Sequence, residues 1–333
     1  MAEYLVRASS LEGYDKLVTS LGGDPGGLRA GVGITAAPIA ADSWISYRAF
    51  LNLLENSATE LACPHFGLQL SRHQGISILG TLGFIMREAP DVVTALAELS
   101  KYFTLHNQGA EVSLSLDSGA AQLGFESKLP GHLPMGQQMD LVVGIGLNIM
   151  RLLCGRRWNP QAVYLAHAEP EDRKPYRELF DCPLHFNAEA SMMIFPVETL
   201  AMKISAADDQ LHKILKEHLT LVKESYPDNY PDQIKHLIRQ ALLTGNCSVD
   251  RVASYLSITK RTLQRQLKRE DIAYKDLLED VRFDMATRYL VDSDSSLTIL
   301  AEMLGYSELS AFSNAFKSKT GLSPREWRAQ YVH

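Results

Sequence analysis

No stretch of this sequence is apolar for long enough to cross a bilayer: the longest such run, near Leu141 to Leu147, falls far short of the roughly 20 residues a membrane helix needs. Close cysteine pairs are also missing. Cys63, Cys154, Cys182 and Cys247 are scattered, which argues against a CxxC redox centre or a zinc ribbon and fits a reducing cytoplasm. The opening Met-Ala-Glu-Tyr has no basic region leading into an apolar one, so no signal peptide and a cytoplasmic location are expected. There is no phosphate-cradling Gly-x-x-x-x-Gly-Lys-Ser/Thr loop and no Gly-x-Ser-x-Gly elbow. Gly144-Ile145-Gly146 lacks the third glycine of a dinucleotide loop and sits in an apolar helix pattern. Cys63-Pro64-His65 has no partner at metal-ligand or nucleophile spacing and reads as a packed thiol near a turn. No catalytic residue, metal ligand or cofactor is therefore expected.

What is present is a chain of 333 residues, 46% hydrophobic and 22% charged, enough for about two domains with real cores. The net charge of −6 argues against indiscriminate coating of nucleic acid. Its distribution is uneven. From Ile234 to the end there are 15 Lys+Arg against 12 Asp+Glu, and the remainder carries 18 against 27. A mildly basic tail on an acidic body fits a DNA-binding module joined to something else.

In the first two hundred residues two kinds of period alternate. Tyr47 to Ala62 places Phe50, Leu51, Leu54, Ala58 and Leu61 at helical steps, and Asp91 to Phe103 does so with Val92, Leu96, Leu99 and Phe103. Glu111 to Glu126 switches to period two through Val112, Leu114, Leu116, Leu123 and Phe125, with Asp117-Ser118-Gly119 as the turn of a hairpin. A long apolar helix is expected over Met139–Leu153. Short strands are expected over Ala162–His167, Leu184–Phe186 and Met192–Phe195, with a helix over Asp172–Phe180. This describes an α+β domain over 1–197.

Glu198 to Lys223 reads as one long helix. Ile204, Leu211, Leu215, His218 and Val222 trace a seam along it that fits either a second chain or its own domain. The polar stretch Tyr226–Asp232 holds two prolines and reads as a linker. The division expected is thus 1–197, a helix and linker over 198–232, and an all-helical domain over 233–333.

That last domain repeats one device. Ser248 caps a helix that buries Val249, Val252, Ala253 and Leu256, and Ser257-Ile258-Thr259 makes a short turn. A second helix then buries Leu263 and Leu267 and exposes Lys260, Arg261, Gln264, Arg265, Lys268 and Arg269, with no acidic residue among them. This is a helix-turn-helix, whose second helix enters the major groove from its start, where Lys260, Arg261 and Thr262 stand. Arg and Gln there match guanine and adenine edges, and Lys and further basic side chains neutralise phosphates. The competing reading is a solvated basic face. About fifty residues later Leu297–Leu304, the turn Gly305-Tyr306 and a helix over Glu308–Lys319 capped by Ser307 repeat the pattern. Leu309, Phe312 and Phe316 are expected inside, and Ser310, Ala311, Ser313, Asn314 and Lys317 toward DNA. Tyr274 to Val291 is a helix long enough to hold the two recognition helices about 34 Å apart, one DNA turn. Pro324 opens a last helix after a capping Ser323.

Ile299-Leu300-Ala301, Leu304–Ser307, Ser310–Lys317, Thr320–Pro324 and Trp327-Arg328 together resemble the AraC/XylS family of bacterial regulators. Family members often carry Tyr where Trp327 stands and Arg where Asn314 stands, and the second departure puts one DNA contact in doubt. Leu79–Phe84, Pro90, Ala95-Leu96 and Pro183–Asn187 resemble the N-terminal domain of the ornithine-utilisation and virulence regulators rather than the cupin-type sensor of the arabinose regulator. The resemblance implies an activator that binds double-stranded DNA, often as a homodimer, answers a metabolite or fatty acid, and has RNA polymerase as a partner. Tyr102, His106 and Asn107, with Arg72 and His73, are the candidate lining of an effector pocket. Two rivals remain: a regulator whose N-terminal domain only dimerises, and an enzyme with a DNA-binding tail. The enzyme needs a reactive cysteine or metal cluster that the sequence does not offer.

Overall fold

The computed structural model describes residues 4–117, 119–129, 134–204, 207–224, 230–243, 245, 247–292 and 296–331. The chain forms two compact units, one ending at Tyr226 and one beginning at Pro227.

In the first unit β1 (Leu5–Arg7) pairs antiparallel with β2 (Trp44–Ser46), and α1 (Tyr14–Ser20) and α2 (Pro25–Gly31) lie between them in sequence. Then come α3 (Tyr47–Glu60), α4 (Phe66–Ser71), α5 (Thr81–Arg87) and α6 (Val92–Tyr102). The hairpin β3 (Ala110–Asp117) and β4 (Ala120–Ser127) leads to α7 (Gly136–Cys154) and β5 (Ala162–Tyr164). Helix α8 (Lys174–Leu179), β6 (Leu184–His185), β7 (Ser191–Pro196) and α9 (Asp209–Glu224) complete the unit.

Local chemistry starts these helices. Ser46 accepts from the Ala49 N–H at the head of α3, and Asp91 accepts from the Thr94 N–H at the head of α6. Five strands form one sheet in the order β3-β4-β7-β5-β6, antiparallel except for the β5–β6 pair. Leu123 faces Leu114 on one side and Met193 on the other, so a row of apolar side chains crosses the sheet. Leu116 was expected in that row but is 66% exposed, because the hairpin tip extends beyond the layer that covers it. Ser118, in the expected turn, lies outside the described residues, and Gly119 supplies the positive φ of +84°.

Helix α7 runs through the middle of the unit, buried by Leu141, Val143, Leu147 and Met150. It lies so close to α4 that a Cβ on Gly67 would overlap the Gln137 carbonyl.

The helix expected over Glu198–Lys223 is broken in two. A 3-10 turn, Val197–Ala201, ends where the backbone pairs with the start of α6. Val92 N–H donates to the Met202 carbonyl at 3.1 Å, and Lys203 Nζ reaches Asp91 at 3.2 Å. Backbone groups satisfied this way are not free to continue a helix. Helix α9 then docks on the same unit. Lys216 Nζ is 2.6 Å from Glu98, the Tyr102 hydroxyl lies 2.6 Å from Thr220 Oγ1, and His212 and Leu219 are buried.

Every element among the second unit's described residues is a helix: α10 (Tyr230–Leu243), α11 (Val249–Tyr255), α12 (Lys260–Arg269), α13 (Tyr274–Asp292), α14 (Leu297–Met303), α15 (Leu309–Thr320) and α16 (Pro324–Tyr331). Helix begins at Tyr230, earlier than the linker expected through Asp232, since Pro231 fits a first turn where its missing N–H costs nothing. Positions 225–229 of that linker lie outside the described residues.

Candidate nucleic-acid interface and effector cavity

Helices α11 and α12 form the first helix-turn-helix. Ser248 accepts from the Arg251 N–H, and Val252, Ala253 and Leu256 are buried. Ser257 turns the chain with φ +54°, and Ile258 N–H returns to the Ala253 carbonyl at 3.1 Å. Thr259 caps α12, accepting from Thr262 N–H at 3.2 Å; its hydroxyl also lies 3.1 Å from that of Thr262. Leu263, Gln266 and Leu267 face inward, and the Tyr230 hydroxyl donates to Gln266 Oε1 at 2.8 Å. This inward roll leaves Lys260, Arg261, Gln264, Arg265, Lys268 and Arg269 on one exposed face. Lys260 lies 3.9 Å from Asp250, an exposed pair worth little in water.

The second helix-turn-helix is α14 and α15, packed through Leu300, Ala301, Leu304, Phe312 and Phe316. Gly305 takes φ +72° in the turn. Helix α15 starts one residue later than expected: Glu308 stands at its N-cap and Ser307 does not cap it. Leu309, expected inside, is 36% exposed although it shares the stripe of Phe312 and Phe316; it is the first residue of the helix. Ser310, Ala311, Asn314 and Lys317 are exposed and Ser313 is half-buried. Ser310 Oγ donates to Glu308 at 3.0 Å.

Helix α13 joins the two over 19 residues, a span of about 28 Å. Arg282 on it donates to the Leu304 and Gly305 carbonyls at 2.8 and 2.9 Å and lies over the Tyr306 ring. Asp280 lies 3.1 Å from Lys235 and 2.7 Å from Lys319, tying α10, α13 and α15 together. The Lys319 bond, then Lys235, holds its carboxyl below the usual range. Sequence reading had not singled out Arg282 or Asp280, since nothing in a helical pattern marks which charges turn toward a neighbouring helix.

The first unit contains a cavity between α7, α6 and the inner face of the sheet. Leu99 and Phe103, Leu123 and Phe125, and Val142 and Ile145 form apolar walls. Among the described residues no Asp, Glu, Lys or Arg lines it. Its polar groups are few and buried. Gln74 Nε2 donates to the Ser10 and Glu12 carbonyls at 2.9 and 2.8 Å, while its Oε1 has no partner. His106 Nε2 lies 3.2 Å from Ser10 Oγ, and its Nδ1 has no partner. Gln138 Oε1 is likewise unpartnered. Burial, reinforced by the charge of Arg7, pushes His106 down from 6.5 to about 4, so the imidazole is neutral near pH 7.

Of the pocket residues expected from sequence, His106 and Asn107 line this cavity. Tyr102 does not, because its ring is fully buried and its hydroxyl points to Thr220 on α9. Arg72 and His73 are exposed beyond the end of α4, with Arg72 3.5 Å from Glu178. Gln74 and Gln138 were missed; a buried glutamine has no signature in a single sequence. Of the seam residues, Leu211 and His218 are exposed, Leu215 is half-buried against the core, and the side chain of Val222 lies outside the described residues.

A unit with two helix-turn-helix motifs joined by one long helix, attached to an α+β domain, defines a DNA-binding transcription regulator. Residues 22–204 match the family model described as the arabinose-binding domain of AraC transcription regulator, and residues 236–330 match a helix-turn-helix domain. The chain is 30% identical over 328 residues to the HTH-type transcriptional regulator VirS of Mycobacterium tuberculosis, covering 98% of this chain and 96% of that one. It is 23% identical over 287 residues to the ornithine utilization regulator of Pseudomonas aeruginosa, covering 85% and 84%. The urease operon transcriptional activator of Escherichia coli matches 112 residues at 34% identity, 34% of this chain and 38% of that one. The chain belongs to the AraC family of transcription regulators, a family of regulators and not of enzymes.

Proposed function

We propose that this regulator is an activator that reads its operator with α12 and α15, and that a small molecule held in the cavity of the first unit sets its activity. One observation carries the DNA-reading part: α12 buries Leu263, Gln266 and Leu267 and turns Arg261, Gln264, Arg265 and Lys268 outward together. Arg261, Gln264 and Arg265 are assigned to base edges, and Lys260 and Lys268 to phosphates. On α15, Ser310, Ala311, Ser313 and Asn314 supply shape and Lys317 a phosphate contact. Thr262 belongs to the cap of α12 and positions its first turn.

The activator role draws on the urease operon activator matched over 112 residues of this chain, and implies contact with RNA polymerase. The apolar cavity, with its few buried polar atoms, supports the effector. Effectors of this class bias the disposition of units or chains. Homodimerisation is assigned to the outer face of α9, where Leu211 is 41% and Ile214 59% exposed. The division into a sensing domain, a dimer helix and a DNA-binding domain follows from these assignments.

The deciding experiment is a mobility shift on the protein's own upstream DNA, with salt varied and competitor present. The wild-type shift should be specific and weaken steeply with salt. Arg265→Ala should lose roughly tenfold in affinity and relax specificity at the base pair it reads. An unchanged affinity for Arg265→Ala removes α12 from the interface.

A further inference from the structure

We infer that the effector is an electrically neutral molecule with an aliphatic body and a hydrogen-donating head, a hydroxyl or an amide, seated against Gln74 and Gln138. This rests on the proposed effector role of the cavity and narrows it to a ligand class.

The argument starts from what the cavity offers. Gln74 cannot flip its amide, because its Nε2 is committed to the Ser10 and Glu12 carbonyls. Its Oε1 is therefore a fixed acceptor, it is buried, and it has no partner. Gln138 presents a second buried and unpartnered oxygen in the same lining. Two acceptors without donors cost free energy until something donates to them. A hydroxyl or an amide N–H does so, whereas a carboxylate brings only lone pairs.

Charge points the same way. Among the described residues no lysine or arginine lines the cavity. The nearest cation acting on His106, Arg7, is spent on the Leu105 and Asp42 carbonyls at 3.3 and 2.6 Å and lies over the Trp44 ring, 4.0 Å from its centroid. His106 is neutral, and its Nδ1 is free to meet the second polar atom of a head group. A buried carboxylate would thus go unpaired, which is far costlier than an unpaired amide. The remaining walls are apolar and suit an aliphatic body.

The test titrates the full chain near neutral pH with decanamide, decanol and decanoate by calorimetry. The amide and the alcohol should bind at least roughly tenfold tighter than the acid, the size of one good hydrogen bond. Gln138→Leu should cost decanamide roughly tenfold and leave decanoate unchanged. Val142→Trp, which fills the cavity, should abolish binding of all three, with circular dichroism checking that each variant is folded. Tighter binding of decanoate, or no binding of either neutral probe, overturns the inference. The effector role itself fails separately, if a promoter reporter in cells carrying Val142→Trp still responds to inducing growth conditions as wild type does.

Discussion

Arg282 Nε donates to the carbonyl oxygen of Leu304 at 2.8 Å, across the joint between the long helix α13 and the turn of the second helix-turn-helix. The same guanidinium holds the Gly305 carbonyl and covers Tyr306. It therefore satisfies orphan carbonyls at the end of α14 and ties the turn between α14 and α15 to α13. Arg282→Met should destabilise the second unit by about 2–4 kcal/mol in urea unfolding, from two charge-assisted bonds and a cation–π contact. Arg282→Lys should recover only part of this, because an ammonium lacks the planar fork. Equal stability of Arg282→Met and wild type would falsify the joint.

A second expectation concerns the closeness of α4 and α7. Gly67→Ala puts a methyl where the Gln137 carbonyl stands, so one helix must shift. The loss of stability should be at least about 1–3 kcal/mol, and ligand binding should weaken with it, since α7 forms one wall of the cavity. Chemical denaturation monitored by a fluorescence probe in the first unit reads this directly.

The buried imidazole of His106 gives a pH dependence whose sign is fixed. Its folded pKa, about 4, lies below the ordinary 6.5, so between those values the unfolded chain binds the extra proton. Its contribution to stability is therefore complete above pH 6.5 and falls away as the pH drops toward 4. Replacing the ring, as in His106→Gln, should flatten that part of the stability profile. NMR of the wild-type imidazole should show it neutral down to about pH 4; titration near 6.5 would mean that the ring is reached by water.

Helix α9 supplies a test of assembly. Leu211 and Ile214 lie on its outer face, opposite the buried His212 and Leu219. The double substitution Leu211→Glu, Ile214→Glu should convert a dimer to a monomer in analytical ultracentrifugation and leave the melting of the first unit nearly unchanged. A wild-type chain that sediments as a monomer at every concentration removes the seam.

Much of the second unit was legible in the sequence because its information is local. Ser248 and Ser323 cap the helices they precede, Gly305 turns where its positive φ is needed, and a period of 3.6 sorts Leu263 and Leu267 from Arg261 and Arg265. The hairpin and its apolar face followed from period two for the same reason, except at Leu116, where exposure depends on how far the covering layer reaches. Contacts distant in sequence were decided by the tertiary structure alone. The break before α9 exists because Asp91 and Val92, more than a hundred positions earlier, capture Met202 and Lys203. The cavity is lined by Gln74, His106 and Gln138 from three separate segments, while Tyr102, four residues before His106, points instead to Thr220. Pattern determines which face of an element is apolar; only packing determines what that face meets, and where it leaves a space.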